Sequence, residues 1–274
     1  MKIRYFVGLL GLLTILVGCG GDSSDSKSNA VSIYNQAYQE NYQADSIEDI
    51  LSYAKNGYVL IDPFADDAYR YVSAIKENNN QVGGYISIGT GEENREDFSE
   101  LKPYLTDKVW DDWAGEFFVN ETNSGIIDIM KKRIDKMATW GLDWVEFDNM
   151  DWFDDEDNKK KYNLKVTAKD AKEYVNTLCD YTHKKGMRCM AKNIVDGFEI
   201  FDGVLYESFS NRKNWWDTNG TKFFLDMGKL VIINHYNEVE CDSIYESYKS
   251  YYDSEDISFI CEDAILKKYR HYLE

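Results

Sequence analysis

Short apolar runs of strand length return along the chain at a nearly regular interval, with segments of helical spacing between them. The runs are Tyr58–Phe64, Val82–Gly89, Glu116–Asn120, Leu142–Asn149, Arg188–Asn193, Gly203–Phe209, Leu230–Asn237 and Ile257–Asp263. As a set they carry the aromatic and β-branched content expected of buried strands. Between them, Ile126, Met130, Ile134 and Met137 recur at helical steps. Ala171, Tyr174, Val175, Leu178 and Cys179 do the same behind a Thr167-x-x-Asp170 cap, and Gly186 offers a C-cap. Asp66–Asn78 and Cys241–Tyr252 are less regular but long enough for helices, whereas Asn35–Asn56 mixes aromatic and polar residues before a cap-like Ser46-x-x-Asp49. Strand and helix alternating eight times predicts an α/β fold, the (β/α)8 TIM barrel. A doubly wound open sheet is the runner-up, and the Gly-x-Gly-x-x-Gly phosphate fingerprint that would favour it is missing.

The first 30 residues follow a different pattern. Lys2 and Arg4 precede an apolar stretch from Tyr5 to Val17, and Leu16-Val-Gly-Cys19 follows. That stretch is too short for a permanent membrane span and has the plan of a signal peptide. A cysteine placed after small residues resembles a bacterial lipobox, which makes residues 1–18 a lipoprotein signal peptide and Cys19 the lipidated residue. Residues 19–30 then form a flexible tether, and 31–274 form one barrel domain. The location expected is the bacterial cell envelope, with Gly20 after Cys19 leaning towards the outer membrane or cell surface over the inner membrane.

Composition narrows the partners. The chain is long enough to bury a sizeable core, and 43% of its residues are hydrophobic. A formal charge of −18, more negative still once Lys2 and Arg4 are removed, repels nucleic acid and anionic lipid and suits a neutral or cationic partner. Membrane contact is expected through the lipid anchor only. Cys179, Cys189, Cys241 and Cys261 contain no Cys-x-x-Cys pair; disulfides fit an oxidising compartment, and buried thiols suit the apolar surroundings of Cys179 and Cys189. With three histidines a histidine-rich metal site is not expected, and Asp154–Asp157 lacks the glycine and terminal glutamate of a calcium loop. Neither a metal nor a cofactor is expected.

In a barrel the strand C-termini form the working face. The polar residues there are Asp62, Ser87, Asn120, Asp148, Asn149, Lys192, Asn193, Glu207, Ser208, Asn234, His235, Asn237 and Asp263. Asp148 and Glu207 stand at the tips of the fourth and sixth runs, with no histidine base or exposed nucleophile nearby. Glycosidic bond cleavage needs two such carboxyls, one to protonate the departing oxygen and one to attack or to activate water. Aromatic rings that sugars stack on lie close by: Trp152 after Asp148, Tyr206 before Glu207, and Trp215-Trp216 in the following loop.

These stretches carry a resemblance. Leu60-Ile-Asp62, Gly84–Gly89, Trp113–Asn120, Gly141–Asp151, Ala191-Lys-Asn193 and Tyr206-Glu207, in this order and spacing, are similar to glycoside hydrolase family 114, the endo-α-1,4-polygalactosaminidase group. The resemblance implies a (β/α)8 barrel that cleaves galactosamine-containing polysaccharide with Asp148 and Glu207. Asp62, Glu146, Asp151, Lys192 and Asn193 would shape the site, and Asn149, Trp152, Tyr206, Trp215 and Tyr236 complete the candidate substrate contacts. Glu207, beside Tyr206 and Phe209, is the candidate acid because desolvation raises a carboxyl pKa; Asp148 is then nucleophile or base, and the reverse order stays open. Lys192 either hydrogen-bonds a carboxylate and holds it ionised, binds a substrate hydroxyl, or forms a structural ion pair with a strand-end acid. Asn120 stands where the family pattern has Asp, and Asn234–Glu238 departs from its Glu-Tyr, so different substrate subsites are expected. A cationic amino-sugar polymer suits the charge. The alternatives are a non-catalytic carbohydrate-binding lipoprotein and a hydrolase of another exopolysaccharide on the same barrel.

Overall fold

The computed structural model describes residues 29–37, 45–209, 218–238, 240–252, 256–263 and 268–272. The leader, Cys19, Trp215 and Trp216 lie outside them. In chain order the elements are β1 (Ile33–Asn35), α1 (Ile47–Tyr53), β2 (Tyr58–Ile61), α2 (Val72–Glu77), β3 (Gln81–Ser87), β4 (Thr90–Glu92), α3 (Phe98–Leu101), β5 (Glu116–Phe118), α4 (Ser124–Trp140) and β6 (Trp144–Asp148). They continue with α5 (Glu156–Tyr162), α6 (Ala168–Lys184), β7 (Arg188–Lys192), β8 (Gly203–Phe209), α7 (Thr218–Asp226), β9 (Leu230–Glu238), α8 (Cys241–Tyr252), β10 (Ile257–Asp263) and β11 (Lys268–His271).

Eight parallel strands, in the order β1-β2-β3-β6-β7-β8-β9-β10, curl into a nearly closed barrel, with β11 antiparallel on the last. The seam between β10 and β1 is stitched by side chains. Val31 N donates to Ser258 Oγ (2.8 Å), and the His271 ring stacks on Tyr34 and donates from Nδ1 to the Ile33 carbonyl (2.6 Å). Alternation along the strands splits the core in two. Leu60, Tyr85, Trp144, Met190, Leu205, Ile232 and Ile260 fill the barrel, while Val59, Val145, Phe147, Val204 and Val231 face the helix layer. Both long helices follow their sequence signals. Ile126, Met130, Ile134 and Met137 are buried on α4, and Thr167 caps α6 by accepting from Asp170 N.

Three expectations are corrected. The run Glu116–Asn120 is not a barrel strand: Glu116–Phe118 pairs antiparallel with Thr90–Glu92 in a small hairpin-like arm outside the barrel sheet. A strand's local pattern does not name its partner, so the run looked like its neighbours. The barrel's first strand is instead β1, only three residues long and set in a mixed polar and aromatic stretch that carries no alternation. The two errors cancel, which leaves Trp144–Asp148 fourth and Gly203–Phe209 sixth. Finally, no helix lies between β7 and β8; residues 193–202 pack Phe198 and Phe201 against the core in its place.

The cysteines are resolved into pairs. Cys179 on α6 is bonded to Cys189 on β7, and Cys241 on α8 to Cys261 on β10, so the reading of Cys179 and Cys189 as thiols does not hold. Burial and bonding coincide here, because each bridge ties a helix's inner face to the strand beneath it. Among the described residues no helix is long and apolar enough to cross a membrane. Removing both cysteines of either pair should cost about 2–4 kcal/mol, read as a lower denaturant midpoint; an unchanged midpoint would show that the bridge adds nothing.

Candidate active site

The strand β6 delivers its acids to different depths. Asp143, just before it, is tied at the barrel's lower end, accepting from Lys76 Nζ (2.7 Å) and Val82 N (2.9 Å). Glu146 and Asp148, two residues apart, both point into the barrel, Glu146 fully buried and Asp148 at the mouth. On the neighbouring strand Lys192 also points inward, with 1% of its side chain exposed, and its ammonium gathers three carboxylates. Nζ lies 2.9 Å from Glu146 Oε1, 3.3 Å from Asp148 Oδ1 and 3.2 Å from Glu207 Oε1. Burial works against this charge, but Asp148, Glu146 and Glu207 outweigh it and hold the lysine pKa above its ordinary value.

One cation cannot neutralise three anions in a low dielectric, so one carboxyl keeps its proton more readily. That group is Glu207: burial, then the nearby Asp148 and Glu146, push it up to about 7 in spite of Lys192. Tyr236 Oη donates to the same Oε1 at 3.3 Å. With two donors converging on Oε1, the proton belongs on Oε2. The Glu207 amide donates to Asn193 Oδ1 (2.9 Å), which fixes the start of this strand tip.

Above this group opens a cavity of about 500 Å³. Among the described residues, Asp62, Asp66, Glu92, Glu116, Asp148, Asp151, Asp155 and Glu207 line it with a single arginine, Arg95, so the potential of this lining favours cations. Arg95 is bidentate to Asp62 (3.0 and 2.8 Å) and also binds Glu92 (2.9 and 2.6 Å). Asp151, beside Asp148, is pushed up to about 6 by burial and by that neighbour's charge. Asn149 and Asn193, which end β6 and β7, both sit at positive φ (54° and 62°), a conformation asparagine tolerates. Gly89 is required where the chain passes Asn149, because a Cβ there would strike the Asn149 carbonyl.

The candidates named from sequence separate accordingly. Asp62, Asn149, Asp151, Trp152, Asn193 and Glu207 reach the cavity with Asp148, while Glu146 and Lys192 lie directly beneath. Trp152 is nevertheless a buried anchor, donating from Nε1 to the Val119 carbonyl (2.9 Å) and packed against Phe153 and Tyr174. Tyr206 faces the helix layer, one residue out of phase with Glu207, and does not line the cavity. Tyr236 lies inside the barrel under Glu207 and supports it instead of meeting the mouth. His235, set on the working face from sequence, points outward to Tyr248 and Phe259. Asn120 accepts from Lys165 N (2.7 Å), away from the cavity. The acids at 154–157 begin α5, with Asp155 capping Asp157 N and Asn158 N.

Sequence reasoning missed Arg95, Glu92, Glu116, Trp110 and Trp113, all on the inserted arm and all lining the cavity. The one legible sign was Arg95 itself, a lone cation among Glu92, Glu93, Glu96 and Asp97.

A parallel barrel with two carboxyls brought together at its C-terminal mouth fits a carbohydrate-cleaving enzyme of the glycoside hydrolase class. The profile of glycoside-hydrolase family GH114 matches residues 26–274, and the chain belongs to that family. Among solved structures it is similar to Ega3 of Aspergillus fumigatus in complex with galactosamine, at 20% identity and TM-score 0.70, covering 89% of this chain and 96% of that one. It is also similar to the glycoside hydrolase domain of PelA from Pseudomonas aeruginosa, at 14% identity and TM-score 0.60, covering 90% and 97%. No protein of curated function matches the sequence.

Lys192→Met should cost about 3–5 kcal/mol near neutral pH, because three carboxyls lose their counter-charge. Protonation relieves the repulsion among carboxyls left without a cation, so the penalty should shrink as pH falls. Urea unfolding at several pH values checks this; a penalty that stays constant or grows towards acid would contradict it.

Proposed function

We propose that this chain is an exported, lipid-anchored hydrolase that cuts within α-1,4-linked galactosamine-containing polysaccharide by a two-carboxylate mechanism without a cofactor. The observation that carries this reading is the common attachment of Asp148 and Glu207 to one buried ammonium at the floor of an acidic cavity. Ega3, solved with galactosamine, supports an amino sugar as the substrate unit. The leader and Cys19 support export and anchoring, with the signal peptide on residues 1–18, the lipidated Cys19 and tether on 19–30, and the barrel from 31 onward.

Both carboxylates lie within 3.3 Å of a single nitrogen, which keeps their facing oxygens inside the about 6.5 Å at which the inverting separation begins. That bound admits the retaining mechanism, which we propose here. Glu207, protonated on Oε2, gives its proton to the departing glycosidic oxygen. Asp148, with Oδ1 held by Lys192, attacks the anomeric carbon with Oδ2, and the glycosidic C–O bond breaks as the enzyme–sugar ester forms. Glu207, now a carboxylate, takes a proton from water; that water displaces Asp148 and restores both groups. Lys192 holds both oxygens through the cycle, and its count of carboxylate partners stays the same, because Asp148 loses its charge in the ester as Glu207 gains one. Glu146 completes the floor and keeps Lys192 in place.

Incubation with polygalactosamine should yield shorter chains. Asp148→Asn and Glu207→Gln should each lower kcat by about 10²–10⁴-fold while oligosaccharide binding persists. Because the acid form of Glu207 is the active one and its pKa is pushed up to about 7, kcat/KM should fall as pH rises above that value. Binding of the polymer by wild type without cleavage would replace this reading with that of a carbohydrate-binding lipoprotein. Cleavage confined to another exopolysaccharide would move the substrate and keep the chemistry.

A further inference from the structure

The cavity's carboxyls divide by whether a cation holds them. Asp62 and Glu92 share Arg95, and Asp148 and Glu207 share Lys192. Of the buried or half-buried ones, Glu116 and Asp151 have no ion pair among the described residues. Glu116 stands apart in three respects. Its Oε2 is fixed by a hydroxyl chain: Thr90 Oγ1 donates to it at 2.6 Å, Ser87 Oγ lies 2.6 Å from Thr90 Oγ1, and Asn149 Nδ2 donates to Ser87 Oγ at 3.0 Å. Ser87 is the register partner of Asp148, so the chain ends beside the nucleophile. Its backbone also bonds to both cavity tryptophans, accepting from Trp110 N (2.7 Å) and donating to the Trp113 carbonyl (3.2 Å). A fixed carboxyl on the tryptophan-bearing arm thereby lines the same cavity as Asp148, a combination that suits an amino sugar.

We propose that Glu116 is the specificity-determining residue that reads the amino group of the sugar unit lodged against Asp148, selecting the free ammonium over the acetamide. This rests on the functional reading above. The chemistry places the amine there, since the 2-amino group is on the carbon next to the anomeric carbon that Asp148 attacks. An ammonium brings the missing charge and three donors, whereas an acetamide brings no charge and a bulkier group. Burial first, together with Glu92 and Asp148, pushes empty Glu116 up to about 7, and an arriving ammonium reverses this by displacing the proton. Asp151 has no comparable anchor to the arm and serves as the control.

The test compares kcat/KM on deacetylated and fully acetylated galactosamine oligosaccharides of equal length for wild type, Glu116→Gln, Glu116→Asp and Asp151→Asn. Wild type should prefer the deacetylated chain, and Glu116→Gln should cut that preference at least about tenfold, the loss of one charge-assisted contact worth about 1.5–3 kcal/mol. Glu116→Asp, which keeps the charge, should retain preference at a lower rate, and the wild-type preference should fall as pH drops through about 7. A wild-type ratio in Glu116→Gln, or a collapse in Asp151→Asn instead, overturns the proposal. Should wild type cleave neither polymer, the functional reading fails separately, and calorimetry with galactosamine and N-acetylgalactosamine still decides: an equal change for both sugars in Glu116→Gln overturns the role of Glu116.

Discussion

The buried Lys192 ammonium is the constraint on which the working end of this barrel depends. A lysine taken almost wholly out of water is costly unless its charge is met, and here Glu146, Asp148 and Glu207 meet it from two other strands. Burial and the excess of negative charge left over push Glu207 up to about 7. Glu146, Asp148 and Glu207 are therefore one electrostatic unit, held together at the barrel floor by a shared cation. Parallel strands make this arrangement accessible, because inward residues of β6, β7 and β8 reach the axis at neighbouring levels.

The chain between β3 and β6 supplies the rest of the mouth. It leaves the barrel sheet, forms the β4–β5 arm, and returns through α4, so that Arg95, Glu116, Trp110 and Trp113 overhang the strand tips. Arg95 neutralises one side of the cavity while the other side stays acidic, and hydroxyls of Ser87 and Thr90 connect the arm to the tip of β6. The barrel floor and the inserted arm thus line one cavity, an arrangement usual where loops rest on a rigid scaffold.

Much of this was legible in the sequence, for identifiable reasons. Leu142–Asn149 announces itself because an apolar run that ends in acids is costly anywhere except at a strand tip in a polar mouth, and its period gives Glu146 and Asp148 the same face. Period alone also separates Tyr206 from Glu207 and His235 from Asn234, although proximity in sequence suggested otherwise. What could not be read were facts of partnership. Nothing local to Glu116-Phe-Phe says that its partner is Thr90–Glu92 and not a barrel strand, and nothing local to Ile33–Asn35 says that three residues suffice to begin the barrel. The tryptophans show the same limit: Trp152 was chosen for lying beside Asp148 in the chain, yet its ring is anchored in the core, while Trp110 and Trp113 arrive from far away in sequence.

The common hold of Lys192 on Asp148 and Glu207 makes a geometric commitment that can be measured without any variant. Proton NMR of the first anomers released from an α-linked galactosamine oligosaccharide, recorded before mutarotation, reports the stereochemistry of cleavage. Two carboxyls drawn together by one ammonium predict retention, with the α anomer appearing first. Initial release of the β anomer would mean that a water fits between the two groups, and would contradict the account.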